Sequence, residues 1–125
     1  MSIPDLVNVA CIKDGTKGKE VLVVRGQHYD FPGWQVIPGV NIPESLESSV
    51  QVYFPGAKID KLSFFKKYEW ERKTIHLYTG VLVTNVKDSS PGARWFNVDD
   101  AFQYPHNDFF GMSIRDLRGH IKSLK

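Results

Sequence analysis

The apolar residues of this chain switch from strand-like to helical spacing twice, and that switching limits the possible folds more than any single residue does. Residues 6–12 and 20–25 are apolar and β-branched, and the turn formers Asp14, Gly15, Lys17, Gly18 and Lys19 lie between them, which predicts a hairpin. A loop at 26–33 mixes turn residues with aromatics and leads into a short strand at 34–37, stopped by Pro38 and Gly39. From Glu44 the period becomes helical: Leu46, Val50, Tyr53 and Phe54 fall on one face, Pro43 sits where a helix tolerates proline, and Pro55 with Gly56 ends the run. Residues 58–70 and 74–84 form a second, longer strand pair, and 93–96 a final short strand. A helical turn at 98–103 and an amphipathic helix at 113–124, with Ile114, Leu117, Ile121 and Leu124 on one stripe, complete the pattern. The predicted class is α+β, a mixed sheet with one helix inserted in the first half and another at the end.

Composition then sets the scale. With 125 residues, 42% hydrophobic and 24% charged, the chain has the size of one ordinary domain spanning 1–125, and it lies outside the composition range of disordered chains. No apolar run approaches the roughly 18 residues of a membrane span, and the first ten residues lack the charged and apolar regions of a secretory leader. Cys11 is the single cysteine and cannot form an intramolecular disulfide, which points to a reducing, cytoplasmic setting with a buried thiol. His28, His76, His106 and His120 are scattered without the spacing of zinc ligands. A net charge of +2 names no partner by itself.

The succession of strand, turn, Val21-Leu-Val-Val-Arg25, aromatic loop, Trp34-Gln-Val-Ile-Pro-Gly39, helix, strand pair and Arg94-Trp-Phe-Asn-Val-Asp-Asp-Ala-Phe102 resembles a Nudix (MutT-like) domain over nearly its whole length. That resemblance implies a mixed β-sheet sandwiched by helices. It also implies a nucleotide-type ligand near the loop before Trp34, with Gly39 in the turn that leads to the helix. The family signature, G-x5-E-x7-R-E-U-x-E-E-x-G-U with U a bulky aliphatic, places several carboxylates on one helical face to hold Mg²⁺ against a diphosphate. Here the pattern is degenerate. Aligning Glu44 with the first Glu puts Val52 and Tyr53 at R-E and leaves the segment to Gly56 three residues short. Aligning Gly56 and Ala57 with the terminal G-U puts Ser49 and Val50 at R-E, and Tyr53 and Phe54 at E-E. Either register removes the metal-binding pair. Only Glu44 and Glu47 remain as acidic candidates, and two carboxylates at i and i+3 on a first turn also suit a helix dipole without any metal.

The remaining candidates are local. His28, Tyr29 and Phe31, with Trp34, offer stacking surfaces for a planar ligand, and Arg25 at the end of an apolar strand offers a guanidinium to a phosphate. His76 lies within the 74–84 strand, while His106 and Asp108 follow the last helical turn, where family members often place variable substrate residues. Lys58, Lys61, Lys66, Lys67, Arg72 and Lys73 interleave with Phe64, Phe65, Tyr68 and Trp70, a combination used for single-stranded nucleic acid but equally produced by a hairpin with a core face and a wet face. Two functions follow. One is a non-catalytic module that binds a nucleotide, a nucleotide-sugar or a partner chain, in a pocket between the 26–34 loop and the helix starting at Glu44, with no cofactor. The other is a divergent hydrolase of a nucleoside diphosphate derivative, using Mg²⁺ with Glu44 and Glu47 and a base such as His106 or His76. A homodimer is left open.

Overall fold

A computed structural model describes residues 4–25, 29–37, 39–83, 92–100 and 108–123. The strands are β1 (Leu6–Gly15), β2 (Gly18–Arg25), β3 (Tyr29–Asp30), β4 (Gly33–Gln35), β5 (Lys58–Trp70), β6 (Lys73–Val83) and β7 (Ala93–Asn97). Two helices accompany them, α1 (Ile42–Gln51) and α2 (Asp108–Ser123). The strands join in the order β3-β2-β1-β6-β5, with β4 added to β1 and β7 added to β2. All pairings are antiparallel except β1 with β6, so the sheet is mixed as expected.

Alternation along the central strands explains the layering. Val7, Val9 and Cys11 of β1 join Leu22, Ala93, Leu46, Val50 and Phe54 in one core, under α1. Ala10 joins Val21, Val23, Ile75, Leu77, Phe109, Phe110, Ile114, Leu117 and Ile121 in the other, under α2. A strand with apolar side chains on both faces must be covered on both, which places one helix on each side of the sheet. Burial pushes the Cys11 thiol up to about 12, so it stays protonated and acts as a small hydrophobe.

Several boundaries differ from the sequence reading. The first helix begins two residues before Glu44, because Asn41 acts as N-cap: its Oδ1 accepts from the Glu44 amide at 3.2 Å. The last helix begins at Asp108 instead of 113, with Phe109 and Phe110 buried in its first turn. In the long hairpin the aromatics do not all share a face. Register shifts between Asp60 and Ser63 and between Phe64 and Lys66 leave Phe64 51% exposed, while Phe65, Tyr68 and Trp70 pack on the α2 core. Phe64 instead sits edge-on to His76 and Tyr78 on the opposite face.

Helix α2 is tied to β5 by polar contacts. Asp116 Oδ2 accepts from the Tyr68 hydroxyl at 2.8 Å and from Lys66 Nζ at 3.0 Å. Burial raises the Asp116 pKa, but these two bonds and the nearby cations outweigh it and hold the carboxyl below its ordinary 3.8. Burial, then the Asp116 bond, pushes the Tyr68 phenol well above its usual value.

Tyr68→Phe is expected to lower unfolding free energy by about 1 kcal/mol in urea titrations, below the roughly 1.5–3 kcal/mol of hydrogen bonds to charged groups because the site is partly wet. Since the Asp116 pKa is depressed in the folded state, its contribution is present above about pH 4 and lost as pH falls through the lowered value. Asp116→Asn is therefore expected to flatten the acid limb of the stability–pH curve. At Gly33, a Cβ would collide with the Asn8 side chain and the Val7 carbonyl. Gly33→Ala is expected to cost about 2–3 kcal/mol, read from thermal and urea midpoints.

Candidate functional site

The cleft of this molecule arises because β1 changes partners along its length. Its C-terminal half pairs with β2, from Ile12 opposite Val21 to Gly15 opposite Gly18. Its N-terminal part pairs instead with β4: Leu6, Val7 and Asn8 lie opposite Gln35, Trp34 and Gly33. The chain at 31–33 wedges between the diverging strands, fixed by the Val9 amide donating to the Pro32 carbonyl at 2.8 Å and Asn8 Nδ2 donating to the Phe31 carbonyl at 2.9 Å. Phe31 is buried against Phe110, and the Phe31 amide donates to Asp30 Oδ1 at 2.7 Å. Absence of a side chain at Gly33 is what allows β4 to approach Asn8 so closely.

The opening left by this divergence is a cleft of about 660 Å³, large enough for a small organic ligand. Its described walls are Leu6 and Asn8 of β1, Val24 and Arg25 of β2, Asp30, Phe31, Gly33, Trp34 and Gln35, then Tyr53, Trp70, Ile75 and Phe109. Five of these are aromatic. Trp34 is 54% exposed, so its ring is offered to solvent and not sunk in a core. Arg25 and Asp30 are the only charged groups among the described lining residues. The Arg25 guanidinium lies over the Tyr29 ring at 5.8 Å, and Tyr29 in turn meets Phe96 edge-on at 5.1 Å.

Of the residues singled out in the sequence, Arg25, Phe31 and Trp34 are brought together at this cleft, and Tyr29 supports Arg25 from beside it. His28 and His106 lie outside the described residues, as does Pro38. Gly39 does not line the cleft; it is exposed, with φ +85 in a turn closed by the Val40 amide on the Ile37 carbonyl at 3.0 Å. The expected pocket lies between the 26–34 loop and the helix starting at Glu44; among the described residues the cleft takes in Asp30, Phe31, Gly33 and Trp34 of that loop and meets the helical segment at Tyr53, just beyond the C-terminal end of α1. His76 does not line it either. Its neighbour Ile75 does, while His76 points to the other face of the sheet, where burial and then Lys67 lower its pKa. Asp108 is exposed in the first turn of α2, a favourable position for an acid near a helix N-terminus.

Neither acidic candidate of α1 lines the cleft. Glu44 is exposed in the first turn. Glu47 is half-buried and its Oε2 accepts from the Ile59 amide at 3.0 Å, so it serves an amide of the edge strand β5. Ser49, at an R position in one register, is buried with its hydroxyl donating to the Leu46 carbonyl at 2.6 Å; Val50 and Phe54 are core residues. No group of three or more His, Cys, Asp or Glu that could hold a metal forms among the described residues. Among the described residues, α1 thus presents no converging set of carboxylates of the kind the signature supplies for Mg²⁺.

Sequence reasoning missed several walls of the cleft. Asn8 carried a readable signal, a single polar residue within an apolar strand. Tyr53 was assigned to the helical core face and Trp70 to the hairpin, and their meeting with Phe109 depends on the packing of α2, which no local pattern encodes.

No profile of a known protein family matches the sequence, and no curated protein matches it. Solved structures do match. A MutT structure from work on Aliivibrio salmonicida and Vibrio cholerae aligns over 94% of this chain and 98% of its own, with TM-score 0.73 and 10% identity. The Nudix hydrolase RenU of M. smegmatis aligns over 97% and 88%, with TM-score 0.69 and 12% identity. The C-terminal domain of mouse MUTYH, solved in complex with human PCNA, aligns over 95% and 91%, with TM-score 0.74 and 19% identity. At these identities the likeness is one of fold, and it agrees with the resemblance read from the sequence: this chain is a Nudix-like domain with the α+β fold of the MutT and Nudix hydrolase structures.

Proposed function

We propose that the protein is a non-catalytic binding module on the Nudix fold, with the cleft beside β1 as its ligand site. The observation that carries this reading is the fate of the acidic side chains of α1. Glu47 is engaged with the Ile59 amide, Glu44 faces solvent, and the positions that would complete a carboxylate cluster hold Val, Tyr and Phe. Diphosphate cleavage of the kind for which the signature is built relies on an ion that neutralises charge and activates water. A helix without its ligands lacks that source of transition-state stabilisation. The structural similarity to a MUTYH domain solved in complex with PCNA supports a role in binding, since that domain is there as a partner of another protein.

Arg25, Phe31 and Trp34 are proposed as ligand-contacting residues, joined by Asn8, Tyr53 and Trp70. Stacking on Trp34 and Trp70 supplies affinity for a planar group, and Asn8 supplies a directional hydrogen bond. Nucleotides and nucleotide-sugars belong to this class through their bases. The alternative, a hydrolase of nucleoside diphosphate derivatives, needs donors beyond Glu44 and Glu47.

Incubation with Mg²⁺ or Mn²⁺ and a panel of nucleoside triphosphates, dinucleoside polyphosphates and nucleotide-sugars is expected to give no turnover above a heat-denatured control. Turnover abolished by Glu44→Gln or Glu47→Gln would overturn the reading. Glu47→Ala is expected to cost about 1 kcal/mol of stability, because the Ile59 amide loses its acceptor, while Glu47→Gln retains most of that bond and stays near wild type. Trp34→Ala, at a half-exposed site, is expected to leave the unfolding midpoint unchanged and to weaken binding of a nucleoside tenfold or more.

A further inference from the structure

Strand β5 ends the sheet, and its two halves treat that edge differently. Thr74 of β6 turns its main chain toward the β1 side, its amide donating to Asp5 Oδ2 at 2.8 Å and its carbonyl accepting from the Asp5 amide at 2.9 Å. His76 and Tyr78 follow by alternation, so their partners on β5, Glu69, Lys67 and Phe64, turn their main chain away from the sheet. Ile59 points outward by the same alternation, and its amide is taken by Glu47 Oε2 at 3.0 Å. The Lys61 amide is taken by Asp60 Oδ1 at 3.0 Å, at a residue whose φ of 53 bends the strand. Side chains thus close the first half of the edge. Phe64, Lys67 and Glu69 are all exposed, and among the described residues none accepts from their amides.

We infer that this open half of β5 docks an extended acidic segment of another protein as an added strand, independently of what the cleft holds. The outward amides and carbonyls of Phe64, Lys67 and Glu69 supply the ladder. Charge sets the sign of the partner: residues 58–73 hold six basic and three acidic residues, a positive excess larger than the +2 of the whole chain. Lys66 is paired with Asp116 and Glu69 accepts from the Thr74 hydroxyl, which leaves Lys67 as the cation of the open row. Phe64 stands on the same face as Lys67, edge-on to His76 and Tyr78. The segment that fits therefore carries an apolar side chain opposite Phe64 and a carboxylate opposite Lys67. A second copy is disfavoured, since two β5 edges would bring the same lysine excess together, a means by which edge strands avoid pairing with themselves. Single-stranded nucleic acid would use the lysines and the Phe64 ring but not the main-chain row.

The probe is the blocked peptide Thr-Thr-Glu-Thr-Val-Thr-Glu, which, laid antiparallel, sets its first glutamate opposite Lys67 and its valine opposite Phe64. It is titrated into the intact protein and followed in amide NMR spectra, beside a version with lysine for glutamate, a version N-methylated at valine and both glutamates so that the donors facing β5 are lost, and an oligothymidylate. The expected result is saturable shifts centred on Phe64, Lys67 and Glu69 with slowed hydrogen exchange at those three amides, and no saturable binding by the lysine or the N-methylated peptide. Lys67→Glu, at an exposed position, is expected to weaken the acidic peptide about fivefold or more, the weight of one cross-strand charge pair, with the unfolding midpoint kept as a check of the fold. Absence of saturable shifts on β5, shifts centred instead on the cleft residues Asn8 and Trp34, or an N-methylated peptide that binds as tightly as the parent would each overturn the inference. So would oligothymidylate binding the same strand more tightly than the peptide, or sedimentation showing a dimer in which the same three amides are protected without any peptide.

Discussion

The divided pairing of β1 is the constraint on which the cleft depends. A strand that kept β2 as its neighbour along its whole length would close the sheet and leave no opening. Here the segment 31–33 intervenes, held by the bonds from Val9 to Pro32 and from Asn8 to Phe31, with the Phe31 ring anchored in the α2 core. One side chain thus both fixes the wedge and lines the site: Asn8 is structural through its amide nitrogen. Buried polar groups retained in a strand interior need such a partner, because an unmade bond there costs more than a made one gains.

The same economy of groups governs α1. In a metal-dependent diphosphatase of this fold the carboxylates of the helix would have to converge on one point, which the signature achieves by spacing. Glu47 instead spans from α1 to β5, where the edge-strand amide of Ile59 would otherwise have only water. Gln51 makes a parallel link, its Nε2 donating to the Ala57 carbonyl at 2.9 Å. These bonds fasten α1 to the chain that follows it, which accounts for Glu47 and Gln51 through packing.

Much of the fold was legible because it rests on period. Alternation in β1, β2 and β6 and the helical stripe of Leu46, Val50 and Phe54 follow from burial on a fixed geometry, and the buried state of each confirms the pattern. Boundaries were less legible, since Asn41 caps the first helix through one side-chain bond and Phe109 and Phe110 extend the second by tertiary burial. Phe64 was unreadable for another reason: the register shift between Phe64 and Lys66 turns it to the face opposite Tyr68, and sequence spacing assumes a regular strand. Of the site, Arg25, Phe31 and Trp34 could be found from an aromatic loop beside a strand end. Tyr53, Trp70 and Phe109 could not, because their convergence is a property of the packed molecule.

The central claim, that of the proposed binding module, is that Glu47 serves the Ile59 amide and Glu44 faces solvent, so that neither holds an ion. Paramagnetic line broadening by Mn²⁺, read residue by residue in amide spectra of the intact protein, probes this directly. The account predicts only weak, non-saturating broadening scattered over exposed carboxylates. Saturable broadening at low Mn²⁺ concentration, centred on the amides around Glu44, Glu47 and Ile59, would contradict it.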